Sequence, residues 1–139
     1  MTNDGTNGTF KVLVLEDEPS LKRSYERSFR VVSGIEVVYA ANVNEARALL
    51  RDGYSPDGIV TDECMPEIKG SDFIPELRRS GFSGRIALAS GDLADLVYDP
   101  IAKKVKPYDV GCFFKPFRPD CLPDGLLNYL RTGIMPEQK

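Results

Sequence analysis

The fold of this chain is decided by one stretch, Ile59-Val60-Thr61-Asp62-Glu63-Cys64-Met65-Pro66. The stretch begins with apolar and β-branched residues, passes into acidic residues, and is then broken by a proline. This pattern predicts a buried strand that carries the Asp62 carboxylate to the end of a sheet. Polar residues at the ends of neighbouring strands would meet Asp62 at that edge.

The composition limits the classes of protein to consider. The chain has 139 residues, of which 42% are hydrophobic, and this fits one globular domain with its own core. A net charge of −3 gives no electrostatic footprint for nucleic acid. The sequence contains no 18-residue apolar run and no signal peptide, so we expect a cytoplasmic protein without membrane or direct nucleic-acid partners. We expect a flexible N-terminus over residues 1–9, a single domain over 10–131 and a C-terminal tail over 132–139.

The residue types also restrict the chemistry. The chain has no histidine, which excludes a histidine general base and the nucleophile arrangements that depend on one. Its three cysteines show no CxxC spacing and are odd in number, so neither a disulfide framework nor a zinc site is indicated. Any chemistry must therefore use carboxylates, lysine or hydroxyl groups.

Helical patterns alternate with strand-like segments along the chain. Besides the strand that ends at Asp62, strands are predicted over 10–15, 35–40, 85–89 and 110–114. Predicted helices comprise one with the apolar stripe Leu21, Tyr25, Phe29 and Val32, one over about 44–52 capped by Asn42 or Asn44, one beginning at Gly70, a short or distorted one within 93–108, and one from about Pro119 to Leu130. The alternation predicts an α/β fold with a doubly wound, five-stranded parallel sheet and helices on both faces.

Polar side chains follow four of the predicted strands. Glu16 and Asp17 come after the first strand, Asp62 after the third, Ser90 after the fourth and Lys115 after the fifth. In open parallel sheets the ligand site lies beyond the carboxyl ends of the strands. We therefore expect these five residues to converge on one rim of the sheet.

The types of these side chains favour phosphoryl chemistry. Asp17 and Asp62 offer hard oxygen ligands of the kind that Mg²⁺ prefers. Lys115 supplies a positive charge and Ser90 a hydroxyl group, and such sites act mainly by positioning and by neutralising charge. A carboxylate can itself be the nucleophile and form an acyl phosphate. Asp62 is the better nucleophile candidate, because only Glu63 crowds it.

Four motifs together resemble the receiver domain of two-component response regulators. They are Val14-Leu15-Glu16-Asp17-Glu18-Pro19, Ile59-Val60-Thr61-Asp62 with Met65-Pro66 and Gly70, Ala89-Ser90-Gly91, and Lys115-Pro116-Phe117. The resemblance covers residues 10–131. It implies the flavodoxin-like strand order 2-1-3-4-5.

The resemblance also implies a phosphoacceptor and a metal site. Asp62 would accept a phosphoryl group from a phosphohistidine on a sensor histidine kinase or a histidine phosphotransfer protein. Mg²⁺ would be held by Asp17 and Asp62, by Glu16 through water, and by the backbone carbonyl of Cys64. The protein would catalyse its own phosphorylation and its slow dephosphorylation, without turnover of a separate substrate.

The resemblance further implies a phosphorylation-dependent signalling switch. Ser90 would be the hydroxyl that reorients towards the phosphoryl oxygens, and Lys115 the ammonium that pairs with them. Many family members carry an aromatic switch residue three positions before this lysine, whereas this chain has Cys112. The downstream effector is unknown, and a homodimer is left open.

Three alternatives compete with this interpretation. One is a receiver-like protein-interaction module with little or no phosphotransfer. Another is a metal-dependent phosphatase with an aspartyl nucleophile, but such enzymes usually need a second acid where this chain has Cys64. The third is a flavodoxin-like cofactor binder, which is disfavoured because no phosphate-binding loop follows the first strand.

Overall fold

The computed structural model describes residues 9–90, 100–114 and 125–135. Five strands form one parallel sheet in the order β2-β1-β3-β4-β5. The strands are β1 (Phe10–Leu15), β2 (Ile35–Ala40), β3 (Gly58–Asp62), β4 (Arg85–Ser90) and β5 (Val110–Phe114). The predicted fold class and strand order are therefore confirmed, and β3 lies in the middle of the sheet.

Helices cover both faces of the sheet. They are α1 (Pro19–Arg30), α2 (Val43–Arg51), α3 (Gly70–Arg79), α4 (Pro100–Val105), which continues into a 3₁₀ turn over Lys106–Tyr108, and α5 (Leu126–Thr132). One core cluster joins the sheet to α2, α3 and α4, and the other joins it to α1 and α5. No helix in the described part of the chain is long and apolar enough to cross a membrane.

The strand β1 shows why its sequence is apolar without alternation. Leu13 and Leu15 pack towards α2 and α3, whereas Val12 and Val14 pack towards α1 and α5. All four side chains are at most 1% exposed. A strand covered by helices on both faces needs apolar residues at every position, as expected for parallel sheets.

Local signals fix where the helices begin and end. The Glu18 side chain caps α1 by accepting a hydrogen bond from the backbone N–H of Ser20, and Pro19 occupies the first helical position. Asn42 rather than Asn44 caps α2, and Gly53 follows that helix with a φ of +104°. Glycine adopts this left-handed conformation without the steric cost that other residues incur, so Gly53 stops the helix from continuing.

The predicted apolar stripe of α1 is only partly correct. Tyr25 and Phe29 are buried, but Leu21 and Val32 are only half-buried. Val32 lies beyond the end of the helix at Arg30, so it does not continue the helical face. Two buried serines complete the inner face of α1 instead.

The predicted last helix is also corrected. Gly125 has a φ of +83° immediately before α5, so a continuous helix from Pro119 to Leu130 is wrong in the part that crosses Gly125. The described helix begins at Leu126, and residues 119–124 of the prediction lie outside the described residues. The short helix predicted within 93–108 is found as α4, while residues 93–99 lie outside the described residues.

Candidate functional site

Three acidic side chains lie together at the carboxyl end of the sheet. Leu15 of β1 pairs with Thr61 of β3, so the residues that follow them, Glu16 and Asp62, come side by side. One carboxylate oxygen from each of Glu16, Asp17 and Asp62 lies within 4.8 Å of the others. Glu16 is 3% exposed and Asp62 is 4% exposed, whereas Asp17 is exposed to solvent.

This cluster has the donor set of a magnesium site. Three carboxylates so close together repel one another, and a bound divalent cation relieves that repulsion. The ligands are all oxygen, which suits Mg²⁺, and the exposed side of Asp17 leaves room for the waters that Mg²⁺ retains. The residues present therefore fit the ion that the sequence predicts.

The backbone after β1 orients Glu16. Its N–H donates to the carbonyl of Ala40 at the end of β2, at 3.0 Å. One of its carboxylate oxygens accepts a hydrogen bond of 3.2 Å from the backbone N–H of Glu18. Glu16 is thus held against the sheet edge while Asp17 occupies the exposed turn before α1.

Ser90 is the last residue of β4 and is 2% exposed. It follows Ala89, which pairs with Asp62, and it pairs with Phe114 of β5. The structure therefore places Ser90 at the same rim as the acidic cluster. Lys115 comes directly after Phe114 in the sequence, but it lies outside the described residues, and its place in the site stays a prediction.

The loop after Asp62 contains a residue that the sequence analysis did not single out as functional. Glu63 is 3% exposed, and both of its carboxylate oxygens accept hydrogen bonds from Ser71 in α3. Cys64, the next residue, is exposed. No local pattern indicates that a glutamate and a serine eight residues later form such a contact, because the contact depends on how α3 packs.

Tyr25 of α1 was predicted only as a core residue, yet its phenol lies within electrostatic range of the site. Burial, followed by the negative charges of Glu16 and Asp62, raises the pKa of Tyr25 well above its ordinary value. The phenol therefore stays protonated and neutral next to the acids. The apolar stripe predicts that Tyr25 is buried but not which groups it meets. Its nearness to Glu16 and Asp62 follows only from how α1 packs on the sheet.

Cys112 on β5 is half-buried. Burial raises the pKa of its thiol, and the nearby charge of Glu63 raises it further. At neutral pH the thiol is therefore protonated and behaves as a small apolar side chain. It lies at the position where the resemblance leads one to look for an aromatic switch residue.

The fold and the acidic cluster together define a class of doubly wound α/β domain with an oxygen-ligand site at the carboxyl ends of its strands. The sequence-family model of the response regulator receiver domain matches residues 12–126, which are most of the chain. The chain therefore belongs to the response regulator receiver domain family.

Curated relatives support this assignment at the level of sequence. A probable transcriptional regulator, ycf27 of Porphyra purpurea, is 31% identical over 127 residues, which cover 88% of this chain and 48% of the relative. The transcriptional regulatory protein FlgR of Helicobacter pylori is 28% identical over 129 residues, covering 93% of this chain and 31% of FlgR. The chain thus spans about half or less of the length of these relatives.

Solved structures show the same fold. The chemotaxis response regulator CheY4 of Vibrio cholerae matches with a TM-score of 0.69 and 24% identity, covering 91% of this chain and 99% of CheY4. The signal receiver domain of the putative response regulator NarL from Mycobacterium tuberculosis matches with a TM-score of 0.73 and 19% identity, covering 89% of this chain and 98% of that domain. At these identities the likeness concerns the fold alone.

Proposed function

We propose that this protein is a phosphorylation-dependent signalling switch whose phosphoacceptor is Asp62. The observation that carries the proposal is the cluster of Glu16, Asp17 and Asp62 oxygens within 4.8 Å at the carboxyl ends of β1 and β3. Membership of the receiver family supports the same function. We propose residues 10–131 as the limits of the receiver domain.

The phosphoryl transfer would take place on the Asp62 side chain. A carboxylate oxygen attacks the phosphorus atom of a phosphohistidine, and a P–O bond forms as the P–N bond breaks. The histidine nitrogen leaves with the bonding electron pair and takes up a proton. Water later hydrolyses the acyl phosphate, which restores the carboxylate and releases inorganic phosphate.

The phosphohistidine that donates the phosphoryl group would lie outside these 139 residues. This chain contains no histidine, so it cannot carry the phosphohistidine itself. A sensor histidine kinase or a histidine phosphotransfer protein supplies such a group. The site rim, where Asp17 is exposed, is the place at which a donor side chain can approach Asp62.

Glu16, Asp17, Asp62 and the backbone carbonyl of Cys64 would hold Mg²⁺. Bound Mg²⁺ neutralises negative charge on the transferring phosphoryl oxygens. Asp17 and Asp62 suit direct coordination, and Glu16 suits a contact through water. This division follows the family resemblance and is part of the proposal.

Ser90 and Lys115 would respond to the phosphoryl group. The Ser90 hydroxyl would donate to a phosphoryl oxygen, and the Lys115 ammonium would pair with the negative charge. Since this chain has Cys112 where many family members carry the aromatic switch residue, the response would not use an aromatic side chain at that position. Activation would then depend on Ser90, on Lys115 and on the loops at the rim.

Substitution of Asp17 tests the metal site that this function requires. Asp17→Ala should weaken Mg²⁺ binding by about tenfold or more, since it removes a carboxylate ligand. Isothermal titration calorimetry with MgCl₂ measures this directly. Asp52→Ala is the matched control, because Asp52 is an exposed aspartate at the C-cap position of α2, and it should titrate like the wild type. An unchanged titration of Asp17→Ala would remove Asp17 from the site.

A further inference from the structure

A buried carboxylate closes the loop between the phosphoacceptor strand and α3. Glu63 Oε1 accepts a hydrogen bond of 2.7 Å from the backbone N–H of Ser71, and Oε2 accepts one of 2.9 Å from the Ser71 hydroxyl. The first backbone N–H groups of a helix lack partners within the helix, and Lys69 at the N-cap position provides no side-chain cap. Glu63 therefore caps α3 from outside the helix, with its negative charge at the helix N-terminus, where such a charge is stabilising.

The backbone of Glu63 makes three more hydrogen bonds. Its N–H donates to the carbonyl of Ala89 in β4 at 2.9 Å, and its carbonyl accepts from the N–H groups of Met65 at 3.0 Å and Gly70 at 3.1 Å. The residue is thus tied to the sheet, to its own loop and to the start of α3. Since Asp62 precedes it and Cys64 follows it, the position of Glu63 sets the peptides on both sides.

The start of α3 also lies directly against the backbone of Asp62. A Cβ atom at Gly70 would lie 2.3 Å from the Asp62 carbonyl oxygen, so only glycine permits this approach. The contact between Glu63 and Ser71 ties α3 to the loop at this close approach, together with the backbone hydrogen bond from Gly70 to Glu63. Loss of the side-chain contact would loosen the start of α3 and the loop that carries Cys64.

The buried carboxylate of Glu63 carries a desolvation cost that its contacts must offset. Removing a carboxylate from water is costly, and here the two hydrogen bonds from Ser71 and the helix N-terminus offset that cost. The loop already buries Met65 in the core cluster, so apolar surroundings are available. A carboxylate differs from an apolar side chain in that its two directed hydrogen bonds define one position for the loop.

We propose that Glu63 is a positioning residue for the metal site: through Ser71 it holds the loop that presents the Cys64 carbonyl next to Asp62. The inference rests on the proposed function, in which that site binds Mg²⁺. Glu63 does not touch the ion and acts through the loop. A distorted loop would misplace one ligand, so the main effect of losing Glu63 is on Mg²⁺ affinity.

Three variants separate the hydrogen bonds from the charge. Glu63→Leu removes both acceptors, and Ser71→Ala removes only the bond to the hydroxyl. Glu63→Gln keeps an oxygen for the Ser71 N–H and an amide that can donate to the Ser71 hydroxyl, but it loses the charge. Glu76→Leu is the matched control, because Glu76 is a glutamate farther along α3 whose two oxygens accept bonds of 2.7 and 2.6 Å from Arg47.

The test is Mg²⁺ calorimetry on the full chain, at a temperature where circular dichroism shows each variant folded. We expect Glu63→Leu to raise the Kd for Mg²⁺ about tenfold or more, as outer contacts of metal ligands commonly do. Ser71→Ala should raise it about threefold, the effect of one net hydrogen bond, and Glu63→Gln should stay within about threefold of the wild type. Glu76→Leu should not change it.

A second readout distinguishes positioning from a general loss of structure. With acetyl phosphate as the donor, the Mg²⁺ concentration for half-maximal phosphorylation should rise in Glu63→Leu, while the rate at saturating Mg²⁺ returns towards the wild-type rate. A merely structural role would not shift this concentration in a folded variant.

The outcomes separate this inference from the proposed function. If a folded Glu63→Leu variant binds Mg²⁺ as tightly as the wild type, only the inference is overturned. The same holds if Glu63→Gln loses as much Mg²⁺ affinity as Glu63→Leu, because the charge of Glu63 rather than its hydrogen bonds would then matter. If Glu63→Leu does not fold, Ser71→Ala decides, and an unchanged Kd in that variant overturns the inference. A wild-type chain that binds no Mg²⁺ overturns the proposed function and the inference together.

Discussion

Gly70 offers a direct test of how closely α3 must approach the phosphoacceptor strand. In Gly70→Ala the new Cβ would lie 2.3 Å from the Asp62 carbonyl oxygen and 3.1 Å from Cδ1 of Leu88. The oxygen belongs to the backbone at the end of β3, so it cannot rotate away as a side chain could. The start of α3 and the end of β3 must therefore separate by about 1 Å to reach an ordinary van der Waals contact.

The cost of this separation follows from overpacking. Extra atoms in a well-packed interior cost about 1–3 kcal/mol, and the better helix propensity of alanine offsets at most about 1 kcal/mol of that. We expect Gly70→Ala to lose about 2 kcal/mol of unfolding free energy net of this offset. For a chain of this length, that loss lowers Tm by roughly 6–8 °C.

Gly84→Ala is a matched control for the same type of clash away from the site. Its new Cβ would lie 2.3 Å from the carbonyl oxygen of Asp57, just before β3, at the end of the sheet opposite the acidic cluster. Thermal unfolding followed by circular dichroism should show a similar fall in Tm for both variants. Only Gly70→Ala should also weaken Mg²⁺ binding, because only that clash moves the backbone of Asp62. A wild-type Tm for Gly70→Ala, or equal weakening of Mg²⁺ binding in Gly84→Ala, would refute this reasoning.

Two further predictions concern stability. Glu67 has a φ of +68° in a turn closed by a 2.7 Å hydrogen bond from the Ile68 N–H to the Pro66 carbonyl. Glu67→Gly should therefore relieve about 1 kcal/mol of backbone strain, partly offset by the greater conformational entropy of glycine in the unfolded chain. The midpoint of urea unfolding should rise slightly, and a lower midpoint would contradict this. The two hydrogen bonds from Arg47, together with its positive charge, lower the pKa of the Glu76 carboxyl below its usual range. The ionised pair therefore stabilises the fold at pH values above the usual pKa of a glutamate, and this stabilisation is lost as acid protonates Glu76. Urea unfolding should show Glu76→Gln about 0.5–1 kcal/mol less stable than the wild type at neutral pH and equal to it in acid, whereas a difference that persists in acid would be inconsistent with this pair.

Much of the fold could be predicted because the signals are local. Continuous apolar strands indicate a parallel sheet covered on both faces, and that sheet brings the strand ends to one rim. The sequence therefore predicts that Glu16, Asp17 and Asp62 lie together, and in the structure one carboxylate oxygen from each lies within 4.8 Å of the others. The strand order, by contrast, came from the family resemblance, since periodicity does not order strands within a sheet.

The features that could not be predicted from the sequence depend on tertiary packing or on one backbone angle. Glu63 looks like any acid after a strand, and its contact with Ser71 exists only because α3 returns to the end of β3. Val32 has helical spacing from Phe29, but the helix ends before it, so it is only half-buried. The left-handed φ of Gly125 interrupts the predicted helix from Pro119 to Leu130, and helical periodicity does not reveal such a backbone angle.

The central claim is that Asp62 accepts the phosphoryl group. Intact-mass spectrometry after incubation with acetyl phosphate and Mg²⁺ tests it, with the Asp62→Asn variant alongside the wild type. The wild-type chain should gain the mass of one phosphoryl group when Mg²⁺ is present and should gain none when Mg²⁺ is omitted. The Asp62→Asn variant should gain none under either condition. The same adduct on Asp62→Asn would contradict the claim, because another residue would then be the acceptor.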